Sequence, residues 1–464
     1  MLQPRRRDPD RLFPVDPRTR EISRDLYESV AGAPIISPHG HVPVEWLSHD
    51  EPFENPTSLL LRDDHYITRL LHASGVDLDR LGLGGHQVDP RDAWRIFAAH
   101  WHVLEGTASA HWLREEFFGL LGFDEDLSEA NADRQYERVA ALLRTPEFRP
   151  RALFDSFGID VLATTDDPLS DLAEHDALRG AVGGRVLPTF RPDRYVDPDA
   201  EGFADGVARL LEAESQPSTF AGYLEALRAR RAHFIAHGAV SADHGVEEPF
   251  TVDLDPHDAD ALFSSVRAGS ATAQERRVFR GHMLLQMAGM SVDDGLVMTV
   301  HAGVLRNHST ATFRSFGPDS GHDIPVSTDF TRGLRPLLER FGLARDLHLV
   351  LFTVDETAYS RELAPLAGFY PSVYVGAPWW FLDAPDAMNR FRSAVTETAG
   401  FTRSSGFIDD TRAFLSIPAR HDTARRADAA FLARLVGEGR LSEAAARRVI
   451  GESVDALPRR VFKL

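Results

Sequence analysis

The sequence contains no cysteine, and its only lysine is Lys463. The lack of cysteine excludes disulfides, thiolate metal sites and cysteine nucleophiles, so a bound metal would need histidine, carboxylate or amide ligands. The lack of other lysines disfavours Schiff-base aldolases, pyridoxal-phosphate enzymes, Walker-type phosphate loops and carbamylated-lysine metal bridges. Each of these needs a lysine inside its active site.

Net positive charge and long apolar runs are also missing. The formal net charge of -19 over 464 residues disfavours nucleic acid and anionic membranes as partners, because both require a basic surface. No uninterrupted apolar stretch approaches membrane-spanning length, and the arginines at 5–7 are followed by Asp8 and Asp10 where a secretory leader would be apolar. We therefore expect a cytoplasmic protein, whose 43% hydrophobic content suits a globular core.

Short apolar runs alternate with segments of helical spacing. The runs predict eight strands, near residue 35 and at 161–165, 186–190, 239–242, 296–301, 347–353, 373–376 and 406–408. The helical segments between them are 203–214, 220–237, 273–290, 331–341 and 385–398. This alternation predicts an α/β protein, a parallel (β/α)8 barrel with its chemistry at the carboxyl ends of the strands.

The domain organisation expected from this pattern is a single barrel over residues 1–464. The segment 77–150 has helical spacing and no strand pattern, which predicts a helical insertion after the first strand. The segment 422–464 is predicted to form C-terminal helices packed on the barrel. We find no repeat, low-complexity linker or composition break that would divide the chain further.

A Pro-His-Gly-His step at 38–41 closes the first apolar run. At the end of a strand, residues i and i+2 point the same way, so His39 and His41 can present two imidazoles to one point. The last strand of a barrel neighbours the first, which brings Asp410 to the same place. These three residues predict a site for zinc or another divalent cation with an open coordination position.

Arginines stand beyond three other apolar runs. Arg191, Arg306 and Arg412 would surround the metal site at the mouth of the barrel. Because guanidinium groups bind carboxylates and phosphates bidentately, this set predicts an anionic group on the substrate.

Several further side chains have both a structural and a functional interpretation. His65 and Tyr66 open a helical segment after the first strand, where they could pack or serve as hydrogen-bond and proton-transfer groups over the barrel mouth. His301 ends a predicted strand and could be a satisfied core residue or part of the site. Trp379 could pack or form the floor of a sugar site.

Taken in order, these motifs resemble the uronate isomerase (glucuronate isomerase) family of the amidohydrolase superfamily. The resemblance runs over nearly the whole chain, and the motifs are HGH at 39–41, DDHY at 63–66, ATTDDP at 163–168, FRPD at 190–193, SADHG at 241–245, HAGVLRN at 301–307, PWWFLD at 378–383 and DDTRAFLS at 409–416. It implies a distorted TIM barrel of the metal-dependent hydrolase type. The implied reaction is aldose–ketose isomerisation of D-glucuronate to D-fructuronate and of D-galacturonate to D-tagaturonate.

The resemblance also implies roles for residues. One divalent metal, with zinc as the first choice, would be held by His39, His41 and Asp410, and no organic cofactor is expected. The substrate would be surrounded by His65, Tyr66, Arg191, His301, Arg306 and Arg412. Independently of the resemblance, Trp379 is predicted to be a further substrate contact. The proton-handling set is predicted to be Tyr66, Asp410 and His65, because the isomerisation moves one proton between carbons 2 and 1.

Two alternative functions remain open at this point. A metal-dependent hydrolase of an acidic small substrate would use the same barrel and would also want the arginines. A non-catalytic sugar-acid binding protein would bind uronate without turnover. The expected partner is a small-molecule hexuronate, and a homo-oligomer is left open.

Overall fold

The computed structural model describes residues 8–464. Residues 1–7, which include the arginines used in the prediction that a secretory leader is missing, lie outside this range. Within it the strands are β1 (Ile35–Ser37), β2 (Ile159–Ala163), β3 (Arg185–Leu187), β4 (Ser241–Val246), β5 (Val297–Ala302), β6 (Val304–Leu305), β7 (Ile324–Pro325), β8 (Leu349–Thr353) and β9 (Val373–Val375).

Parallel strands form the inner wall of the protein. One sheet has the order β1-β2-β3 and a second has the order β4-β5-β8-β9. Phe190 links the two sheets, because it bridges to Asp166 on one side and to Ala242 on the other. The result is a near-continuous curved wall, as predicted for a barrel.

The predicted eighth strand at 406–408 is wrong, because this segment forms no ladder. Gly406 takes a φ of 78°, outside the β region. Ser405 directs its hydroxyl to the carbonyl of Gly406 and accepts the backbone N–H of Ala377. Hydrogen bonds of the Ser405 hydroxyl therefore replace regular strand pairing at this position.

Backbone hydrogen bonds nevertheless close the wall through this irregular segment. The N–H of Ser405 donates to the carbonyl of Val375 at 2.9 Å, next to the parallel bridge between Val375 and Ser404. On the other side, the N–H of His41 donates to the carbonyl of Thr411 at 3.0 Å. The first and last segments of the barrel thus meet, although about 370 residues of sequence separate them.

The chain between β1 and β2 is helical. Its α-helices are Val44–His49, His65–Ala73, Pro90–Ala99, Ala108–Gly119, Ala132–Leu142 and Pro150–Ser156. All residues of 77–150 are described, and none of them lies in a strand. Trp94, Phe97 and Phe117 pack here in a core shared with Ile35 of β1 and Leu162 of β2. The division into one barrel domain with an insertion stays a prediction.

The other helices cover the outside of the barrel and its ends. Those before β8 are Pro17–Glu28, Ala173–Leu178, Asp193–Val196, Phe203–Ala213, Phe220–Ala236, Pro256–Arg267, Ala273–Asp294, Thr310–Phe316, Phe330–Gly333 and Arg335–Phe341. Those after β8 are Ala364–Phe369, Pro385–Ala399, Ile417–Gly437, Glu443–Gly451 and Leu457–Val461. No helix within residues 8–464 is long and apolar enough to cross a membrane.

Two helical features differ from the sequence prediction. The helix predicted at 331–341 is divided into Phe330–Gly333 and Arg335–Phe341, because Pro336 lacks the N–H that a continuous helix would need. The antiparallel β6–β7 hairpin, which holds helix Thr310–Phe316, was not expected. This hairpin excursion follows β5 and reaches over the carboxyl ends of the strands.

Candidate active site

The predicted pair of histidines lies just beyond β1. His39 is 1% exposed, whereas His41 is half-buried. Thr165 donates its hydroxyl to the carbonyl of Gly40 at 2.9 Å, and the N–H of His41 bonds to Thr411. The step between the histidines is therefore held from both neighbouring segments.

Asp410 meets both histidines. Its Oδ1 lies 3.4 Å from Nε2 of His39 and 3.0 Å from Nε2 of His41. Although burial disfavours its charged form, the two neighbouring histidines lower the pKa of Asp410 well below its ordinary value. The carboxyl is therefore ionised at neutral pH.

The donor set fits a divalent metal. Oδ1 of Asp410 and Nε2 of His39 are buried atoms without a geometrically acceptable hydrogen bond among the described residues. Nitrogen and oxygen ligands held about 2.1 Å from a tetrahedral zinc are about 3.4 Å apart, which is close to the two observed separations. His39, His41 and Asp410 form one of the groups of side chains with metal-ligand geometry.

Asp243 also belongs to this centre, although it was not among the residues predicted for the site. It lies on β4, is fully buried, and accepts a hydrogen bond from Nδ1 of His301 at 2.7 Å. Its Oδ2 lies 3.1 Å from Nη1 of Arg191 and 3.9 Å from Nε2 of His39. Burial opposes ionisation, but His301, His39 and Arg191 lower the pKa of Asp243 well below its ordinary value. The SADHG motif at a strand end was the available signal.

Each of the predicted arginines is oriented by a carboxylate. Arg191 bonds to Asp193 at 2.9 Å besides its contact with Asp243. The hairpin excursion holds the other two, because Asp323 accepts from Arg306 at 2.9 Å and Asp319 accepts from Arg412 at 3.1 Å. Arg306 also lies over the Trp380 ring at 4.6 Å. All three arginines therefore line the barrel mouth, each with a carboxylate partner.

His65 and Tyr66 start the helix His65–Ala73. Asp64 caps this helix by accepting the N–H groups of Tyr66 and Ile67, so the two aromatic side chains are set at its first turn. Their rings stack at 4.6 Å. Burial, followed by the charge of Arg412, lowers the pKa of His65 to about 4. Burial raises the pKa of Tyr66 well above its usual value.

One cavity of about 430 Å³ collects every residue predicted for the site. Its lining includes His39, His41, His65, Tyr66, Arg191, His301, Arg306, Trp379, Asp410 and Arg412. The Trp379 ring meets His301 edge-on at 4.7 Å, so it both packs and faces the cavity. The roles assigned to these residues stay predictions, but their common location is observed.

Two residues near the motifs do not face this cavity. His244 follows Asp243, so it points to the other face of β4, and it lines a separate cavity of about 220 Å³. Asp409 accepts a hydrogen bond from Nε2 of His421 at 3.0 Å, which orients it away from Asp410. Alternation along extended backbone explains the orientation of His244.

Backbone strain is concentrated at the same cavity. Asn307, Asp319, Trp380 and Asp410 all have positive φ values, between 42° and 57°. This left-handed region is unfavourable for residues other than glycine, and such residues are frequent at functional sites. The four strained residues all line the cavity, and two of them, Asp319 and Asp410, contribute carboxylates to it.

The fold and the site define the class of the protein. It is a distorted (β/α)8 barrel of the amidohydrolase type, with a cluster of histidine and carboxylate groups at the carboxyl ends of the strands that suggests a metal site. The crystal structure of glucuronate isomerase from Caulobacter crescentus matches with a TM-score of 0.97 and 48% identity, over 99% of this chain and 97% of that one. A uronate isomerase from Thermotoga maritima matches with a TM-score of 0.92 and 28% identity, over 98% and 99%.

Sequence comparison identifies the family. The glucuronate isomerase family model matches residues 18–457. A uronate isomerase from Corynebacterium efficiens is 53% identical over 461 residues, which cover 98% of both chains. The chain belongs to the glucuronate isomerase family, whose members are also called uronate isomerases, and the family resemblance seen in the motifs is thereby confirmed.

Proposed function

We propose that this protein isomerises hexuronates between their aldose and ketose forms in the cavity of about 430 Å³. The substrates are D-glucuronate, which gives D-fructuronate, and D-galacturonate, which gives D-tagaturonate. The observation that carries the proposal is the meeting of the His39–His41–Asp410 set with three oriented arginines in one cavity. Full-length membership of the glucuronate isomerase family supports it and favours it over hydrolysis.

His39, His41 and Asp410 are proposed to hold one divalent metal, and zinc is the first choice for two imidazoles and a carboxylate. The metal would supply Lewis-acid stabilisation of a substrate oxygen. No organic cofactor is proposed, since the isomerisation transfers a proton and consumes no redox equivalent. Trp379 and His301 would contact the sugar on the side of the cavity nearest Asp243.

Three side chains are proposed to move the proton from carbon 2 to carbon 1. Asp410 is ionised and can accept a proton, whereas Tyr66 is protonated at rest and can donate one. His65 is neutral at pH 7, because burial lowers its pKa to about 4, so it can accept a proton. The enediolate formed between the two proton transfers carries negative charge, which Arg191 beside Asp243 can stabilise.

Arg306 and Arg412 are proposed to bind the carboxylate of the substrate. Replacing Arg412 with methionine should lower kcat/KM for uronates about ten- to a hundredfold, because a charged partner loses a bidentate contact. The same variant should weaken uronates far more than the corresponding neutral hexoses. Parallel kinetics on D-glucuronate and D-glucose measure this difference, and Arg306→Met and Arg191→Met extend the series.

The matched control is Arg340→Met, because Arg340 is an exposed arginine paired with Asp253 at 2.9 Å outside the cavity. It should retain wild-type kinetics. Wild-type uronate kinetics in all three cavity variants would place the anion site elsewhere.

The proposal as a whole is tested by ketose formation from both uronates, with and without a chelator. We expect ketose to form, chelation to abolish it, and a divalent metal to restore it. Turnover in deuterated water should incorporate deuterium at the transferred position. Binding of uronate without ketose would favour a sugar-acid binding protein, and release of a hydrolysis product from an acidic ester or amide would favour a hydrolase.

The remaining parts of the proposal concern location and partners. The proposed partner is a small-molecule hexuronate. Nucleic acid and anionic membranes are not proposed as partners, because the net charge of -19 disfavours them. A cytoplasmic location and a homo-oligomeric state remain predictions.

A further inference from the structure

A buried arginine, Arg420, lies beside Tyr66 and was not selected from the sequence. It belongs to the helix Ile417–Gly437 rather than to a strand end, and it is 1% exposed. Burying a guanidinium costs desolvation free energy unless the charge is paired and its N–H groups are hydrogen-bonded. Arg420 nevertheless lines the candidate active site.

Two hydrogen bonds fix the orientation of Arg420. Nη1 donates to Oδ2 of Asp383, and Nε donates to the hydroxyl of Ser416 at 3.0 Å. Asp383 is itself buried and is the last residue of the PWWFLD motif. The proposed reaction assigns no other role to Asp383. Nη2 makes no hydrogen bond among the described residues, so one edge of the guanidinium stays available at the cavity.

Aromatic contacts place this positive charge against Tyr66. The guanidinium carbon of Arg420 lies 3.7 Å from the ring centre of Trp112 and 5.6 Å from that of Tyr66. Trp112 and Tyr66 also meet edge to face at 6.1 Å. Such cation–ring contacts are favourable when they are desolvated. The three side chains therefore form one packed unit.

The charges around Tyr66 are mostly negative. Burial raises the pKa of Tyr66, and Asp383, Asp410 and Asp64 raise it further. Arg420 acts in the opposite direction and favours the ionised phenol. Arg69 is a second cation that interacts with Tyr66, but unlike Arg420 it is not among the residues that line the cavity.

We propose that Arg420 is a positioning residue for Tyr66, held in turn by Asp383. It keeps the phenol ring in place and stabilises the oxygen of Tyr66 while its proton is on the substrate. The proton leaves Oη for carbon 1 of the enediolate, and the proton taken from carbon 2 by another of the proposed proton carriers returns to Oη when the cycle closes. This inference rests on the proposed role of Tyr66 as a proton carrier.

A double-mutant cycle in the metal-loaded full-length enzyme tests the inference. Arg420→Met should lower kcat on D-glucuronate about 100-fold, with KM changed less than about threefold, because the charge acts on the transition state. In the Tyr66→Phe background the same substitution should cost less than about twofold, since the two residues act as a unit. Arg420→Lys retains the charge and should lose less activity than Arg420→Met.

The matched control is Arg231→Met, because Arg231 is an equally buried arginine that is paired with Asp294 away from the cavity. It should lower thermal stability without affecting the kinetic cycle. If Arg420→Met does not fold, Arg420→Lys is used in the same cycle.

Equal losses from the Arg420 substitution in the Tyr66 and Tyr66→Phe backgrounds would overturn the inference, because Arg420 would then act independently of Tyr66. A wild-type kcat in Arg420→Met would overturn it as well. The proposed role of Tyr66 fails separately, if Tyr66→Phe alone has a kcat within about twofold of wild type.

Discussion

Replacing His39 with alanine is expected to remove the metal and to lower kcat on D-glucuronate by well over a hundredfold. His39 supplies one of three ligand atoms, and its Nε2 has no other acceptable hydrogen bond among the described residues. Loss of an outer partner of a metal ligand already costs about 10–100-fold in metal affinity or activity, so loss of a ligand should cost more. Metal content per chain after dialysis against metal-buffered solution, measured beside kcat, checks the expectation.

The control for this variant is His282→Ala. His282 is also a buried histidine, but it bonds to the backbone N–H of Leu254 and lies outside the cavity. Its loss should reduce stability and leave the metal content at one per chain. A His39→Ala protein with unchanged metal content and turnover would contradict the proposed metal site.

Tyr66→Phe is expected to lower kcat by a large share of the ~10²–10⁴-fold that acid–base catalysis contributes. The substitution keeps the ring, so the stack on His65 at 4.6 Å and the contacts with Trp112 and Arg420 remain. Only the hydroxyl is removed. Metal content and Tm should therefore stay near wild type while solvent deuterium incorporation into the ketose slows in step with kcat.

Tyr359→Phe is the matched control. Tyr359 is fully buried, its hydroxyl has no hydrogen-bond partner among the described residues, and it lies outside the cavity. This variant should have wild-type kcat. If Tyr66→Phe behaved in the same way, Tyr66 would be a packing residue, and His65 and Asp410 would be left as the proton carriers.

The metal-binding set was predictable because the rules behind it are local or topological. His39 and His41 are two residues apart just beyond β1, a spacing at which side chains at the end of a strand can reach one point. Asp410 follows from the closure of a parallel barrel, in which the last segment must lie beside the first. The observed distances of 3.4 Å and 3.0 Å agree with both arguments.

The prediction of a strand at 406–408 was wrong because an apolar pattern does not require regular strand pairing. Residues 406–408 have the apolar pattern of a strand, but Gly406 and the hydroxyl of Ser405 replace the ladder with local bonds. Periodicity reports which residues are buried, and burial does not require regular pairing. The backbone hydrogen bond between His41 and Thr411 still closes the barrel, although residues 406–408 are not a strand.

The sequence by itself determined the approximate positions of seven strands and the kinds of side chain near their carboxyl ends, because periodicity and turn chemistry act over a few residues. The tertiary structure alone decided that Asp243 of β4 would bond to His301 of β5, and that Arg420 of a C-terminal helix would lie against Tyr66 near the start of the chain. Those contacts join residues whose spacing carries no periodic signal. They arise only when distant elements pack around one core, where a buried charge must find its partner.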